Sequence, residues 1–530
     1  MPTFRRRPSW WRDAAVYQVY PRSWQDSNAD GVGDLPGTVS RLDHLVDLGV
    51  DTLWVSPIYT SPMADFGYDV ADYTDVDPIF GTLADADALI EACHARGLHV
   101  LMDFVPNHSS DRHPWFRDAR SSRTSPKRDW YVWRDPAPDG GVPNNWQSSS
   151  GGSAWEWDAG TGQYYLHKFL PQQPDLNWRN PDVRDAMLDA MRFWFERGVD
   201  GFRLDVVYQC VEDAAFRDDP LNPDYDPEND PPFEKVIPRH STDQDEVMEL
   251  VVNPMRRLAD EMGDRLLIGE IYLPFDRLVR YYGMHDPAND VETGVQLPFN
   301  FALIGAEWSA AALAALIAEY EGHLEPHHWP NWVLGNHDKS RIATRVGDEQ
   351  ARVAAMLLLT LRGTPTIYQG DEIGMTDAHI PPDRIRDRWE ENMPGLGEGR
   401  DPCRTPMHWT SALHGGFCPD DVEPWLPMGE NTSVAEQADD ATSMLNLHKR
   451  LLAVRRERPA LLRGTLDAWH DGAVLLLERR HEGECIRVAL NLSASPQSLP
   501  NGWTGERLVS THPNGGGKRL KGNEGVVFSS

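Results

Sequence analysis

No apolar run in the 530 residues approaches the roughly 20 needed to span a bilayer, so a membrane-embedded protein is not expected. The N-terminus, MPTFRRRPSWWRDAAVYQVYP, has a basic start but no apolar core or small-residue cleavage site, and a cytoplasmic location is predicted. Cysteine is scarce: Cys93, Cys210, Cys403, Cys418 and Cys485 are odd in number, scattered and without CxxC spacing. That argues against a disulfide framework or a thiolate zinc site and for reduced thiols. Positive charge is in deficit, 51 Lys and Arg against 82 Asp and Glu, for a net charge of −31. Such a surface repels phosphate backbones and anionic lipid, which disfavours nucleic acid and membrane partners. Neither a nucleotide-binding glycine loop nor a thiolate nucleophile is evident.

The chain does have the means to build a large core: 40% apolar residues and 20 tryptophans. Its length predicts two or three domains. Short β-rich runs alternate with amphipathic helical patterns, from AAVYQVYP (14–21) and TLWVSP (52–57) to HVLMDFVP (99–106). The alternation resumes with GFRLDVV (201–207), LLIGEIY (266–272), VQLPFNFAL, WPNWVLGN and PTIYQG. Alternation means a parallel sheet, and eight strand–helix units are the number that closes a (β/α)8 barrel; a doubly wound open sheet would not need so many. Residues 107–180 interrupt the pattern after the third strand and predict a small inserted domain. The barrel thus occupies 1–106 and 181–462, with a long Pro-, Gly- and Asp-rich loop at 371–432 after strand eight. From 463 to 530, short alternating runs such as AVLLLERR and CIRVALNL predict a C-terminal antiparallel β domain.

In a parallel barrel the reactive groups lie at the C-terminal strand ends. Four ends carry chemistry: DFVPNH (Asp103 to His108), GFRLDVV (Arg203, Asp205), GEIY (Glu270) and GNHD (His337, Asp338). Arg203 lies two positions before Asp205 on the same strand face. An arginine keeps a carboxylate ionised, as a nucleophile requires, while a second carboxylate raises the pKa of a neighbour, as a general acid requires. Paired carboxylates of this kind point to glycosyl transfer. Any single acid, Asp103 included, is as well explained by an ion pair inside the barrel; four strand ends together are not.

These motifs, with MADFGYDVADY, QPDLNW, TPTIYQGDEIGM and RDPCRTPMHW, make the chain resemble the alpha-amylase family of glycoside hydrolases, in its alpha-glucosidase and oligo-1,6-glucosidase branch, over nearly its whole length. The resemblance implies an exo-acting retaining alpha-glucosidase that releases glucose from the non-reducing end of short oligosaccharides or disaccharides. Asp205 would be its nucleophile, Glu270 its general acid/base and Asp338 its transition-state stabiliser. It further implies that Tyr68, His108, Arg203 and His337 line the glucosyl subsite, that Phe169 stands at its wall, and that Asp65 and Arg404 pair to close it. Other aromatics of the insert, Trp130, Trp146, Trp155 and Trp157, are expected mainly in a local core. Val206, directly after the nucleophile, correlates within this branch with α-1,6 linkages. Transglucosylases, sucrose isomerases and trehalose synthases share the machinery; the charged run RIRDRWEE (384–391) bears on that choice only if its arginines face the leaving group, and a solvated loop is the simpler reading. Amino-acid transporter heavy chains share the fold without catalysis, but all three carboxylates are intact here.

Two metal questions arise. In calcium-dependent amylases of the wider family a histidine stands four residues after the nucleophile; here it is Gln209, so a calcium site there is not expected and Asn107 is read as structural. The segment DSNADGVGDLPG (26–37) resembles an EF-hand loop, but position twelve is Gly37 rather than a bidentate glutamate, and a strand precedes it. The reading that survives is a structural Ca²⁺ or Mg²⁺ held by Asp26, Asn28, Asp30, Asp34 and the Val32 carbonyl.

Overall fold

Eight parallel strands close on themselves: β1 (Val16–Val19), β2 (Thr52–Val55), β3 (His99–Phe104), β4 (Gly201–Leu204), β5 (Leu266–Gly269), β6 (Leu297–Asn300), β7 (Asn331–Val333) and β8 (Thr364–Tyr368). Each pairs with its sequence neighbours, and β8 returns to β1 with Thr366 opposite Val16. The computed structural model describes residues 10–286, 291–500, 502–503, 505–512 and 519–529.

Strand side chains alternate between two cores. Val16, Trp54, Leu101, Leu266, Ile268, Leu297, Phe299 and Val333 fill the barrel interior. Their neighbours Tyr17, Leu53, Met102 and Leu267 face the helices. This period of two fixes which polar residues enter the barrel. Asp103 shares the parity of Leu101, and Glu270 that of Leu266 and Ile268. Arg203 and Asp205 share the parity of Gly201, where a Cβ would fall 2.2 Å from the Leu266 carbonyl oxygen. Glycine there lets β4 and β5 pack closely beneath the two charged residues.

Between β3 and β4 lie the helix Pro114–Ser121 and a three-stranded antiparallel sheet of Trp133–Arg134, Gln163–Leu166 and Trp155–Asp158. Trp146 and Trp155 pack with Val132, Ala154 and Leu166 into a separate small core, whereas Trp157 is exposed. Trp130 joins the main core. Residues 371–432 form short helical turns draped over the strand ends. A five-stranded antiparallel sheet, with Val474–His481 and Glu484–Asn491 at its centre, completes the C-terminal part. Among the described residues no helix is long and apolar enough to cross a membrane. Cys93, Cys210, Cys403 and Cys418 are buried and form no disulfides.

Candidate active site

The inward-facing residues at the ends of β3, β4 and β5 meet on one guanidinium. Arg203 Nη1 lies 2.6 Å from Asp205 Oδ1 and 2.8 Å from Asp103 Oδ1, and Nη2 lies 2.7 Å from Glu270 Oε2. All four side chains are buried. Burial raises Asp205, Glu270 and Asp103, the last to about 6, and the Arg203 charge opposes each shift. One cation shared by three buried carboxylates offsets their burial only in part, so the three titrate together and above the range of solvated acids.

Val206 has φ +34° and ψ +40°, a left-handed backbone that a β-branched residue adopts only under constraint. Its N–H donates to Glu270 Oε2 at 2.9 Å. The strained turn after Asp205 therefore aims an amide at the neighbouring carboxylate.

The end of β7 contributes His337 and Asp338. Gln18 Nε2, on β1, donates to His337 Nδ1 at 2.8 Å, which leaves the ring hydrogen on Nε2. Nε2 faces Tyr68 Oη at 2.7 Å and Asp338 Oδ2 at 3.2 Å, and Tyr68 Oη donates onward to Asp103 Oδ2 at 3.0 Å. Burial holds the His337 pKa well below its usual range, so the ring is neutral. Burial alone would raise Asp338, but the Nε2–H that His337 turns toward it and the Arg404 and Arg400 charges outweigh it and keep the carboxylate ionised.

One expected pair is corrected. Arg404 does not meet Asp65: its Nη2 lies 2.6 Å from Asp338 Oδ1, and its Nε donates to the His337 carbonyl. The partner of Asp65 is Arg400, at 2.7 Å, which Asp387 holds from the other side, also at 2.7 Å. The short helical turn Asp401–Cys403 separates the two arginines and sends them to different acids. Gln173 continues this wall, donating to Asp65 Oδ2 at 3.1 Å and contacting His108 Nε2 at 3.0 Å. Phe169 packs its ring 5.2 Å from that of His108. The cavity so enclosed holds about 200 Å³ and is lined by Asp65, Tyr68, His108, Phe169, Asp205, Glu270 and Asp338. That is small beside the roughly 300–1,000 Å³ of drug-sized sites, and it suits one sugar ring.

At the mouth stand Tyr208, Phe233, Tyr272 and Trp389. Tyr272 stacks on Phe301 with ring centres 4.1 Å apart. Of the run 384–391, Arg386 and Arg388 are exposed, as a solvated loop requires, while Asp387 and Trp389 turn inward. Arg400, Gln173, Gln18 and Trp389 had no signal in periodicity; a polar Gln18 within an otherwise apolar strand is the feature that could have found one of them.

Beside Gln209 the buried Lys168 supplies a positive charge. Its Nζ donates to the Gln209 carbonyl at 2.5 Å and lies 3.2 Å from Asp175 Oδ2 and 3.7 Å from Glu212 Oε2. Asn107 Nδ2 donates to Asp175 Oδ1 at 3.1 Å. The ammonium clips the insert to the turn that follows Asp205.

The loop after β1 is held by its own carboxylates. Asp26 Oδ1 accepts from the Asn28 and Ala29 amides, Asp26 Oδ2 from Gly31, Asp30 Oδ1 from Val32, and Asp34 Oδ1 from Gly37. Asp26 Oδ1 and Asp34 Oδ1 each already accept two hydrogen bonds, whereas Asp26 Oδ2 and Asp30 Oδ1 accept one and keep a site open; an all-oxygen donor set suits a hard cation. Among the described residues, however, these acids do not gather at ligand spacing; the one group of three that does is His285, Glu292 and His327.

Comparison with known proteins agrees with this geometry. The family model described as alpha amylase, catalytic domain, matches residues 18–464. A probable alpha-glucosidase of Rhizobium meliloti is 42% identical over 513 residues, 93% of this chain and 91% of that one. A solved alpha-glucosyl transfer enzyme superposes with a TM-score of 0.91 at 39% identity, covering 99% of this chain and 100% of its own. An isomaltulose synthase from Klebsiella sp. LX3 superposes with a TM-score of 0.89 at 31% identity, covering 98% and 99%.

Proposed function

Because the chain belongs to the alpha-amylase family of glycoside hydrolases and acts on alpha-glucosides by that family's retaining chemistry, we propose that it is an exo-acting alpha-glucosyl-transferring enzyme. In this reading, Asp205 takes the glucosyl unit as a covalent intermediate and passes it preferentially to a sugar hydroxyl. The observation that carries the chemistry is the sharing of one guanidinium by Asp205 and Glu270. Two acids so close fall in the regime of a nucleophile with an acid/base, rather than of two acids about 6.5–9.5 Å apart with a water between them. Glu270 protonates the leaving oxygen while Asp205 attacks the anomeric carbon; Glu270 then removes the proton of the acceptor hydroxyl. Asp338 and His337 hold ring hydroxyls, and the Asp65–Arg400 ion pair ends the pocket behind the ring.

Transfer over hydrolysis is supported by the aromatic mouth of Tyr208, Phe233, Tyr272 and Trp389, faces on which an acceptor ring can stack and displace water. Val206 at the same junction supports α-1,6 linkages. The test is product analysis from maltose and sucrose over rising substrate concentration. Oligosaccharides or isomers, α-1,6-linked among them, should overtake free glucose as substrate rises. Glucose accounting for every bond cleaved at all concentrations would establish hydrolysis instead.

Two further expectations follow from the same reading. Asp65→Ala removes a charged hydrogen-bonding group from the closed end, so kcat/KM on disaccharides should fall about 10–100-fold, the worth of roughly 1.5–3 kcal/mol. A substrate capped at its non-reducing end should lose far less; equal losses on both would show that the pocket end is not read. Asp26, Asn28, Asp30, Asp34 and the Val32 carbonyl would hold a structural Ca²⁺ or Mg²⁺ that stiffens the loop. Chelation should therefore lower the melting temperature before it alters kcat, as differential scanning fluorimetry and assay on one sample will show.

A further inference from the structure

Opposite the active site, where chain enters β6 and β7, two short segments bring an unusual set of donors together. His285 and Glu292 face each other on the hairpin His285–Asp286/Val291–Glu292, which leads into β6. His327 lies in the segment that leads into β7. The rings of His285 and His327 stack with centres 4.2 Å apart and planes 27° from parallel. Glu292 Oε1 lies 3.6 Å from His285 Nδ1 and 3.7 Å from His327 Nε2, and the three ligand atoms fall within 4.8 Å of one another.

We propose that His285, Glu292 and His327 bind one divalent transition-metal ion, Zn²⁺ or its equivalent, that staples these two segments at the N-terminal end of the barrel. Bonds of about 2.0–2.2 Å in a tetrahedral shell put ligand atoms roughly 3.4 Å apart. Both separations to the carboxylate are within a few tenths of an ångström of that. Two imidazoles and one carboxylate suit zinc, and differ in kind from the all-oxygen loop after β1. Glu292 is buried, and among the described residues the groups of opposite charge within reach are these two imidazoles. An imidazole supplies positive charge only when protonated, whereas a bound divalent ion supplies it with both rings neutral. Glu325 Oε2, 3.6 Å from His327 Nε2 and largely exposed, can close the fourth position from solvent.

The segment bearing His327 is already positioned. Arg12 Nη2 donates to the His327 carbonyl at 3.3 Å, Tyr282 Oη donates to the Trp329 carbonyl at 2.8 Å, and the Tyr282 ring stacks on His328 at 4.0 Å. The ion would therefore bind to a site that is largely organised beforehand, and its effect would be on stability rather than turnover.

The probe is Co²⁺, whose visible bands report tetrahedral nitrogen and oxygen ligation, titrated into the untagged, chelator-treated full chain and then displaced by Zn²⁺. One equivalent should bind, with a rise in melting temperature. His327→Gln and His285→Gln should each weaken binding about tenfold or more, with circular dichroism and glucoside turnover unchanged. Asp30→Asn, in the oxygen loop, should leave cobalt binding intact. No cobalt or zinc binding by the wild-type chain, or binding within twofold of wild type in both histidine variants, would overturn the proposal and leave a histidine–glutamate ion pair.

Discussion

Replacing Glu270 by glutamine should lower kcat on maltose by about 10²–10⁴, the usual worth of general acid/base assistance. The loss should depend on the leaving group. A dinitrophenolate departs without a proton, so an activated aryl glucoside should retain fast glucosylation and be slowed in the second step, where Glu270 deprotonates the acceptor. The pH profile carries a second signature. Burial raises Glu270, so in the wild-type protein the protonated acid is lost, and kcat/KM falls, as pH climbs through that raised pKa. Glutamine has no such transition, and the alkaline limb should flatten while the acid limb, set by ionisation of the nucleophile, stays. Equal losses on maltose and the activated substrate, with both limbs kept, would remove Glu270 from the acid/base role.

Lys168→Met should be the most destabilising single change at the junction between insert and barrel. The ammonium is buried between Asp175 and Glu212, and its removal leaves Asp175 without a cation while Glu212 keeps Arg179; breaking a buried pair in this way costs about 3–5 kcal/mol. Burial already lifts Asp175 to about 6 despite the lysine. The melting temperature should fall by several degrees, and more at neutral than at acid pH, because a stranded carboxylate is relieved by taking up a proton. Neutralising the stranded acid as well, in Lys168→Met with Asp175→Asn, should recover part of the loss. The same lysine holds the Gln209 carbonyl in the turn that follows Asp205, so kcat should fall with stability. A variant with unchanged melting temperature would show that the junction does not rely on this charge.

What could be read from the residues followed the periodicity of the strands. Arg203, Asp205 and Glu270 extend runs whose alternation is visible in GFRLD and LLIGE, so their common face was legible, and with it the cluster. The barrel was legible for the same reason: eight apolar runs, each followed by a helical pattern. The closed end of the pocket was not. Residues 371–432 have no period, and which of two arginines four positions apart turns toward Asp65 depends on the short turn between them; the resemblance pointed to Arg404, and the fold uses Arg400. Lys168 was silent because a lysine in a loop is ordinarily solvated, and only the approach of Gln209 and Glu212 from beyond β4 buries it. Oxygen-rich residues 26–34 were legible as a loop, but their side chains mostly engage its own amides.

Closure of the barrel also has a consequence in time. The seam joins Val16 to Thr366, and Tyr17 donates to Glu372 Oε1 at 2.8 Å while Gln18 positions His337. At roughly 5–20 residues per second, a ribosome delivers β8 about 20–70 s after β1. Throughout that interval β1 offers one unpaired strand edge, and His337, once made, meets Gln18 of β1 only as the barrel closes. The catalytic centre is thus completed only when the first and last barrel strands meet, and a nascent protein of this fold needs shelter from its own kind longest at the strand it makes first.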